Sequence, residues 1–292
     1  MSQAKPILHI LTGPTAVGKT EAALAWAEKN NAEILSCDSV CVYRGMDIGS
    51  AKPTADQQQR VRHHGIDLVE PTARYSVTQY ITYAQQVVRQ NQSEGKNTLV
   101  TGGSGFYLAA FFGPVSDDLM VNDATIQEVR QLQEQGLDAL LRRLQELESG
   151  ALPAWLDQQN PIRVAKALER RLSSDLTLDE IRDEFLLKKS PFEGYTVKTN
   201  LIERPDDELR TRINQRTHAM LKEGLIEESE KLLQLKLDPE LPSARAVGYR
   251  ATMDWLVDGQ KVALEGLAER INLDTWALVR KQRKGFKRLG LI

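Results

Sequence analysis

The stretch Ile7-Leu8-His9-Ile10-Leu11-Thr12-Gly13-Pro14-Thr15-Ala16-Val17-Gly18-Lys19-Thr20 runs from an apolar segment into a glycine-bearing turn. Ile7 to Leu11 has the length and composition of a buried strand. Residues 21–30 follow as a helix, with Ala22, Ala23, Leu24, Trp26 and Ala27 on its apolar side. Gly13 to Thr20 matches G-x-x-x-x-G-K-[ST] in full, in the strand–turn–helix setting that this pattern requires. The glycines let the backbone of Gly13, Pro14, Thr15, Ala16, Val17 and Gly18 fold into a nest of inward N–H groups. The positive end of the next helix adds to that field. Lys19 can reach a terminal phosphate, and the Thr20 hydroxyl can ligate Mg²⁺. The pattern is shared with nucleotide- and ATP-binding proteins; it identifies a phosphate binder and leaves the reaction open.

On either side of this loop the chain reads as α/β. Glu33 to Ser36 is a second strand, and Ser76 N-caps a helix carrying Val77, Tyr80, Ile81, Ala84, Val87 and Val88. Thr98 to Val100 is a third strand, broken by Gly102-Gly103. This alternation predicts a P-loop NTPase-like parallel sheet flanked by helices. From Pro114 to Tyr195 the pattern is helical throughout, so residues 114–195 are expected to form an all-helical insertion domain. Tyr195 to Ile202 alternates like a strand and returns the chain to the sheet. Helices are expected over 206–222, 226–235 and 263–284. The catalytic core is therefore 1–113 with 196–292.

The 292 residues carry 38 basic and 40 acidic side chains, so net charge is −2 and no global nucleic-acid signature exists. Hydrophobic residues make up 41%, which excludes disorder and low-complexity architecture. No apolar run approaches the roughly 18 residues of a membrane span, and the apolar start is too short for a signal peptide. Cys37 and Cys41 cannot build a disulfide framework, so the expected compartment is the cytoplasm. Charge is uneven: Arg270, Arg280, Lys281, Arg283, Lys284, Lys287 and Arg288 face Asp274 alone near the end. Such a segment is either a phosphate-binding surface or a solvated tail. No heptad or long apolar stripe argues against a monomer.

Asp38 and Ser39 follow the second strand, at the edge of the sheet where ligands bind in such folds. A carboxylate there can accept a proton from a nucleophile or serve Mg²⁺ through water, or it can be a turn residue. Tyr43 to Pro53 is a polar, glycine-bearing loop. His63 and His64 lack partners at metal-ligand spacing. Arg163 and Lys166 read equally as a solvated helix face.

Taken together, Gly13–Thr20, Asp38-Ser39 with Tyr43, and Met46-Asp47-Ile48-Gly49-Ser50-Ala51-Lys52-Pro53 resemble the tRNA dimethylallyltransferase family. His63-His64-Gly65-Ile66-Asp67, Tyr75-Ser76-Val77, Gly102 to Tyr107, Asn160 to Arg163 and Ala246 to Arg250 continue the resemblance in the family's order. The resemblance implies a P-loop holding dimethylallyl diphosphate instead of a nucleotide. The acceptor it implies is N6 of the adenosine beside the anticodon, with Asp38 taking the departing proton. It further implies that Mg²⁺ on Thr20, with Lys19 and Arg245, neutralises the diphosphate leaving group. The tRNA anticodon loop would be met by Asp38, Ser39, Val40, Cys41, Ser104, Ile162, Arg163, Lys166, Arg245, Gly248, Tyr249, Arg250, Arg280, Lys281 and Gln282.

Departures from the family pattern gather on the RNA side. Cys41 stands where many members have glutamine, Lys166 where they have arginine, and Gln127 near a usual arginine. The family's T-R-Q-x-A-K-R-Q-x-T-W is reduced to Arg280-Lys281-Gln282 within Thr275 to Gly285. Two alternatives stand beside this reading. One is a P-loop small-molecule or nucleotide kinase, with Arg142-Arg143 or Arg170-Arg171 as a lid. The other is an RNA-binding paralogue without turnover.

Overall fold

A computed structural model describes residues 5–115 and 119–292. The chain divides into two compact units, Met1–Phe112 with Ser190–Ile292, and Gly113–Lys189.

In the first unit, β1 (Ile7–Thr12), α1 (Lys19–Lys29), β2 (Ala32–Cys37), α2 (Ala55–Arg60) and β3 (His63–His64) come in order. They are followed by α3 (Val77–Ser93), β4 (Asn97–Gly102) and α4 (Gly105–Ala109). The sheet runs β3-β2-β4-β1-β5, with β5 being Thr196–Leu201, and every pairing is parallel. Side-chain alternation explains its two covered faces. Leu8, Ile10, Leu35 and Val100 enter one core, while Leu11, Ile34 and Leu99 pack with Ala23, Leu24 and Ala27 of α1 in another. β2 is buried along its whole length, whereas β5 alternates between exposed and half-buried positions, as an edge strand does.

Two short elements escape a reading by periodicity. β3 is only two residues long and is written in histidine. α2 buries nothing and has no apolar stripe, yet a Thr54–Gln57 capping box starts it. By contrast, Ser76 caps α3 as the spacing predicts, with Gln79 returning the bond.

The helical unit holds α5 (Asp123–Gln135), α6 (Leu137–Leu147), α7 (Pro161–Leu172) and α8 (Leu178–Leu187). Val129, Leu140, Leu144, Val164 and Leu168 form its own dry core. Residues 190–195, read from sequence as part of the insertion, group with the sheet unit instead. The reason is packing: Phe192 stacks on Phe111 at 4.4 Å, and Ser190 Oγ donates to the Ala110 carbonyl at 3.0 Å. After β5 come α9 (Asp206–Glu223), α10 (Leu225–Gln234), α11 (Tyr249–Val257) and α12 (Leu264–Arg288), the last against α9. No helix of the described residues is long and apolar enough to cross a membrane.

Candidate active site

The carboxyl ends of β1, β2 and β4 lie side by side, with Thr12 and Cys37 each in register with Gly102. Three turns therefore emerge together: Gly13–Gly18, Asp38–Cys41 and Gly103–Ser104. The P-loop packs closely against the end of β5. A Cβ on Gly13 would stand 2.3 Å from the Ile202 carbonyl oxygen, and φ there is +153°, so only glycine fits. Gly18 starts α1 with no side-chain cap, which leaves the helix N-terminus open to an anion.

The loop is ringed by cations. Lys19 Nζ donates to the carbonyls of Gly13 and Pro14 at 2.9 and 2.8 Å. Arg212 Nε donates to Ala16 O at 2.7 Å, and Arg204 Nε to Val17 O at 2.7 Å. Arg216 Nη1 meets Thr15 Oγ1 at 3.3 Å. Burial pushes the Lys19 pKa down to about 8; Asp38 pulls it back and Arg216 depresses it further. Arg216 is likewise lowered by burial and supported by Asp38. Two buried-side cations thus share one carboxylate, and the surplus positive charge calls for an anion.

Asp38 is half-buried, and its Oδ1 accepts from Val40 N at 2.8 Å and Cys41 N at 3.4 Å. No hydrogen bond from the described residues reaches Oδ2. Ser104 Oγ accepts from Ser39 N at 2.9 Å and lies 3.2 Å from Ser39 Oγ. That contact staples the Asp38 turn to the end of β4. Burial drives both Cys37 and Cys41 thiols far up, so neither is a nucleophile at neutral pH.

Not every residue singled out in the sequence comes to this place. Arg245 sits in an exposed turn, its guanidinium held by Pro239 O at 2.9 Å and by Glu240, with no contact to the P-loop among the described residues. The guanidiniums that reach the loop are those of Arg204, Arg212 and Arg216. Tyr249 is buried and donates its hydroxyl to Glu228, while Gly248 N-caps α11 and Arg250 faces solvent near Asp254. Arg280 and Lys281 are exposed on α12, and Gln282 is turned into the site: Thr15 N donates to its Oε1 at 2.9 Å. Thr20 is exposed on the first turn of α1.

In the helical unit, Arg163, Lys166 and Arg170 of α7 line a groove of about 390 Å³ with Trp155, Arg182 and Phe185. Arg163 pairs with Asp157 at 3.5 Å and Lys166 with Glu169 at 2.5 Å, while Ile162 is largely exposed.

Arg204, Arg212 and Arg216 were not marked by any motif. Helical spacing does place Arg212 and Arg216 on one stripe of α9, four residues apart. What that stripe faces depends on the β1–β5 pairing, which brings residue 202 against residue 13.

The parallel sheet, the loop after β1 and the cations around it define an α/β protein of the P-loop type, with a loop suited to phosphate groups. Residues 41–289 match the family model described as IPP transferase. The chain belongs to this family, whose members are prenyltransferases. It is 45% identical to the tRNA dimethylallyltransferase of Opitutus terrae over 286 residues, 98% of this chain and 91% of that protein. It is 36% identical to the enzyme of the same name from Herpetosiphon aurantiacus, covering 99% of this chain and 90% of that one. Among solved structures it is similar to the tRNA delta(2)-isopentenylpyrophosphate transferase of Staphylococcus epidermidis. That likeness has a TM-score of 0.65 at 26% identity and covers 97% of this chain and 90% of the other.

Proposed function

We propose that the protein transfers a dimethylallyl group from dimethylallyl diphosphate to N6 of the adenosine adjacent to the anticodon in tRNA. The observation that carries this reading is the excess cation cluster of Lys19 and Arg216 at the P-loop, set against the single carboxylate of Asp38. A diphosphate satisfies the cations, and an acceptor with a proton to lose satisfies Asp38.

The chemistry follows from those charges. The allylic C–O bond of the donor breaks, and the diphosphate leaves with the electron pair. N6 forms the new C–N bond and gives its proton to Asp38 Oδ2, while Oδ1 stays braced on Val40 N and Cys41 N. Lys19, Arg216 and the open N-terminus of α1 take up the charge that grows on the leaving group. The Thr20 hydroxyl suits Mg²⁺, which favours a few protein oxygens plus substrate phosphates and would supply further charge neutralisation there. The adenine must leave its stack to reach this buried donor. Arg280 and Lys281 of α12 offer cations for anticodon-loop phosphates, and Arg163 and Lys166 are a separate pair of cations for tRNA on the helical unit. The protein acts as a monomer in the cytoplasm.

Family membership removes the kinase alternative. A paralogue without turnover is tested directly by transfer of label from dimethylallyl diphosphate to unmodified tRNA with Mg²⁺. Labelled tRNA that vanishes with Asp38→Ala, while diphosphate binding persists, supports the proposal. Binding of tRNA without label in product would establish the silent paralogue, and full turnover by Asp38→Ala would remove Asp38 as the base.

A further inference from the structure

Gln282 projects from the last third of α12 into the space between two active-site turns. Its Oε1 accepts from Thr15 N at 2.9 Å, and its Nε2 donates to the Gly103 carbonyl at 3.2 Å. Both ends of one amide are thereby used. Gly103 is closed in by it, since a Cβ there would stand 2.6 Å from Gln282 Nε2. The next residue, Ser104, holds Ser39 N at 2.9 Å, and Ser39 is bonded to Asp38. A continuous path therefore runs from the P-loop through Gln282 and the β4–α4 turn to the proposed base. The helix end of the path is itself anchored: Arg283 pairs with Asp206 at 2.7 Å and Glu203 at 3.1 Å, and donates to Arg204 O. Arg204 in turn donates to Val17 O of the P-loop.

We propose that Gln282 is a positioning residue, which ties the P-loop to the Gly103–Ser104 turn and so fixes the distance between bound diphosphate and Asp38. The proposal rests on the transferase reading above and replaces the expectation that Gln282 contacts RNA. Its neighbours Arg280 and Lys281 are exposed and able to meet RNA phosphates, whereas Gln282 is half-buried with its carbonyl and its amide nitrogen each bonded to an active-site turn. A preorganised loop loses less freedom when its anion binds, and small misplacements of reacting groups slow chemistry strongly.

The test measures inorganic pyrophosphate affinity by calorimetry, tRNA affinity by filter binding, and kcat for transfer. Gln282→Ala and Gln282→Met remove both hydrogen bonds, and methionine keeps the length and packing. Both variants should bind pyrophosphate about tenfold more weakly and lose tenfold or more in kcat, with tRNA affinity within twofold of the parent. Gly103→Ala should behave likewise in the parent chain and cost less in Gln282→Ala, where the obstructing amide is gone. Parental pyrophosphate affinity in Gln282→Met overturns the proposal whatever the alanine variant does. Loss of tRNA affinity alone overturns it in favour of RNA contact. A parent protein that binds pyrophosphate and transfers nothing refutes the proposed reaction, and the pyrophosphate measurements still decide the role of Gln282.

Discussion

The P-loop and the Met46–Pro53 loop are both glycine-bearing turns, yet their charges close in opposite ways. In the second loop the N–H groups of Asp47, Ile48 and Gly49 all donate to Glu228 at 3.0–3.2 Å, and Tyr249 donates to the same carboxylate. Lys52, nearly buried, donates to Asp47 at 2.5 Å, to Asp67 at 2.6 Å and to Tyr43 O at 2.9 Å. Burial disfavours its charge, but the two carboxylates outweigh burial and hold its pKa above the ordinary lysine value. In that loop the one cation is matched by two carboxylates, and the third carboxylate, Glu228, is matched by N–H and O–H donors. The P-loop directs its carbonyls at Lys19, Arg204 and Arg212 and is left with more cation than anion. A loop whose polar groups are consumed internally is a brace, and one with unmatched charge is a place for a ligand.

The contrast is tested most severely at Arg216. Arg216→Gln keeps a polar side chain beside Thr15 but removes the surplus charge. Transfer efficiency should fall about 10²–10³-fold, the scale for losing one preorganised donor to a leaving-group charge. Melting temperature should hold or rise, since a buried cation without a full partner is relieved. A variant with parental kcat/KM would mean that Arg216 only packs against Thr15. At Glu228 the expected pattern is the reverse. Glu228→Ala strands three N–H groups and a tyrosine hydroxyl, at a cost of about 2–3 kcal/mol measured by urea unfolding. Pyrophosphate affinity should stay within about threefold. If it falls further, the second loop is part of the donor site and the distinction fails.

How much of this was legible from sequence follows from which partners are local. The P-loop carries its meaning in eight consecutive residues, because its own backbone builds the nest. The helices of the insertion were readable for a similar reason, as Leu137, Leu140, Leu141 and Leu144 repeat on one face of α6. Asp38 could be proposed because strand ends at the carboxyl edge are where ligands bind. Arg204, Arg212 and Arg216 were silent, since each acts on a carbonyl or hydroxyl 187 to 201 residues away. Arg245 and Gln282 show the converse. Both sit in family-like motifs, yet one is held by Glu240 and the other by the P-loop. Motif membership marks a residue as involved and does not report which way its side chain turns.

A smaller effect follows from Lys19, whose amine titrates near pH 8 in the free protein. Below that pH the ammonium is present and binds diphosphate. Above it the free protein has lost the proton that the complex requires, so donor affinity should fall by up to about tenfold per pH unit until the pKa of the complex is reached. The sign for folding is opposite. Between about pH 8 and the ordinary 10.5 the unfolded chain holds more protons, so this lysine makes the free protein more stable as pH rises. Calorimetry of dimethylallyl diphosphate from pH 7 to 10 checks the first statement. Lys19→Arg, which does not titrate there, should flatten the profile, and an unchanged slope would assign the titration elsewhere. Lys52, its charge already matched by two carboxylates, should contribute no slope in this range.

The mildest change expected is at Ser104, where the two kinds of loop meet. Its hydroxyl accepts from Ser39 N and touches nothing charged, so it belongs to the bracing side although it stands beside Asp38. Ser104→Ala removes two neutral hydrogen bonds, to Ser39 N and Ser39 Oγ, on a half-buried turn, together worth about 1 kcal/mol, or roughly fivefold in kcat/KM for tRNA. Ser104→Thr keeps the oxygen and should stay within twofold. Ser104→Ala cuts the last link of the path from Gln282, so kcat should fall as well as kcat/KM, but less than in Gln282→Ala, because Asp38 Oδ1 stays held by Val40 N and Cys41 N and the P-loop keeps its bond to Gln282. A loss approaching that of Arg216→Gln, or one that threonine fails to restore, would show that the hydroxyl touches the RNA or the reacting atoms directly. The boundary between brace and ligand site would then run through Ser104 and not beside it.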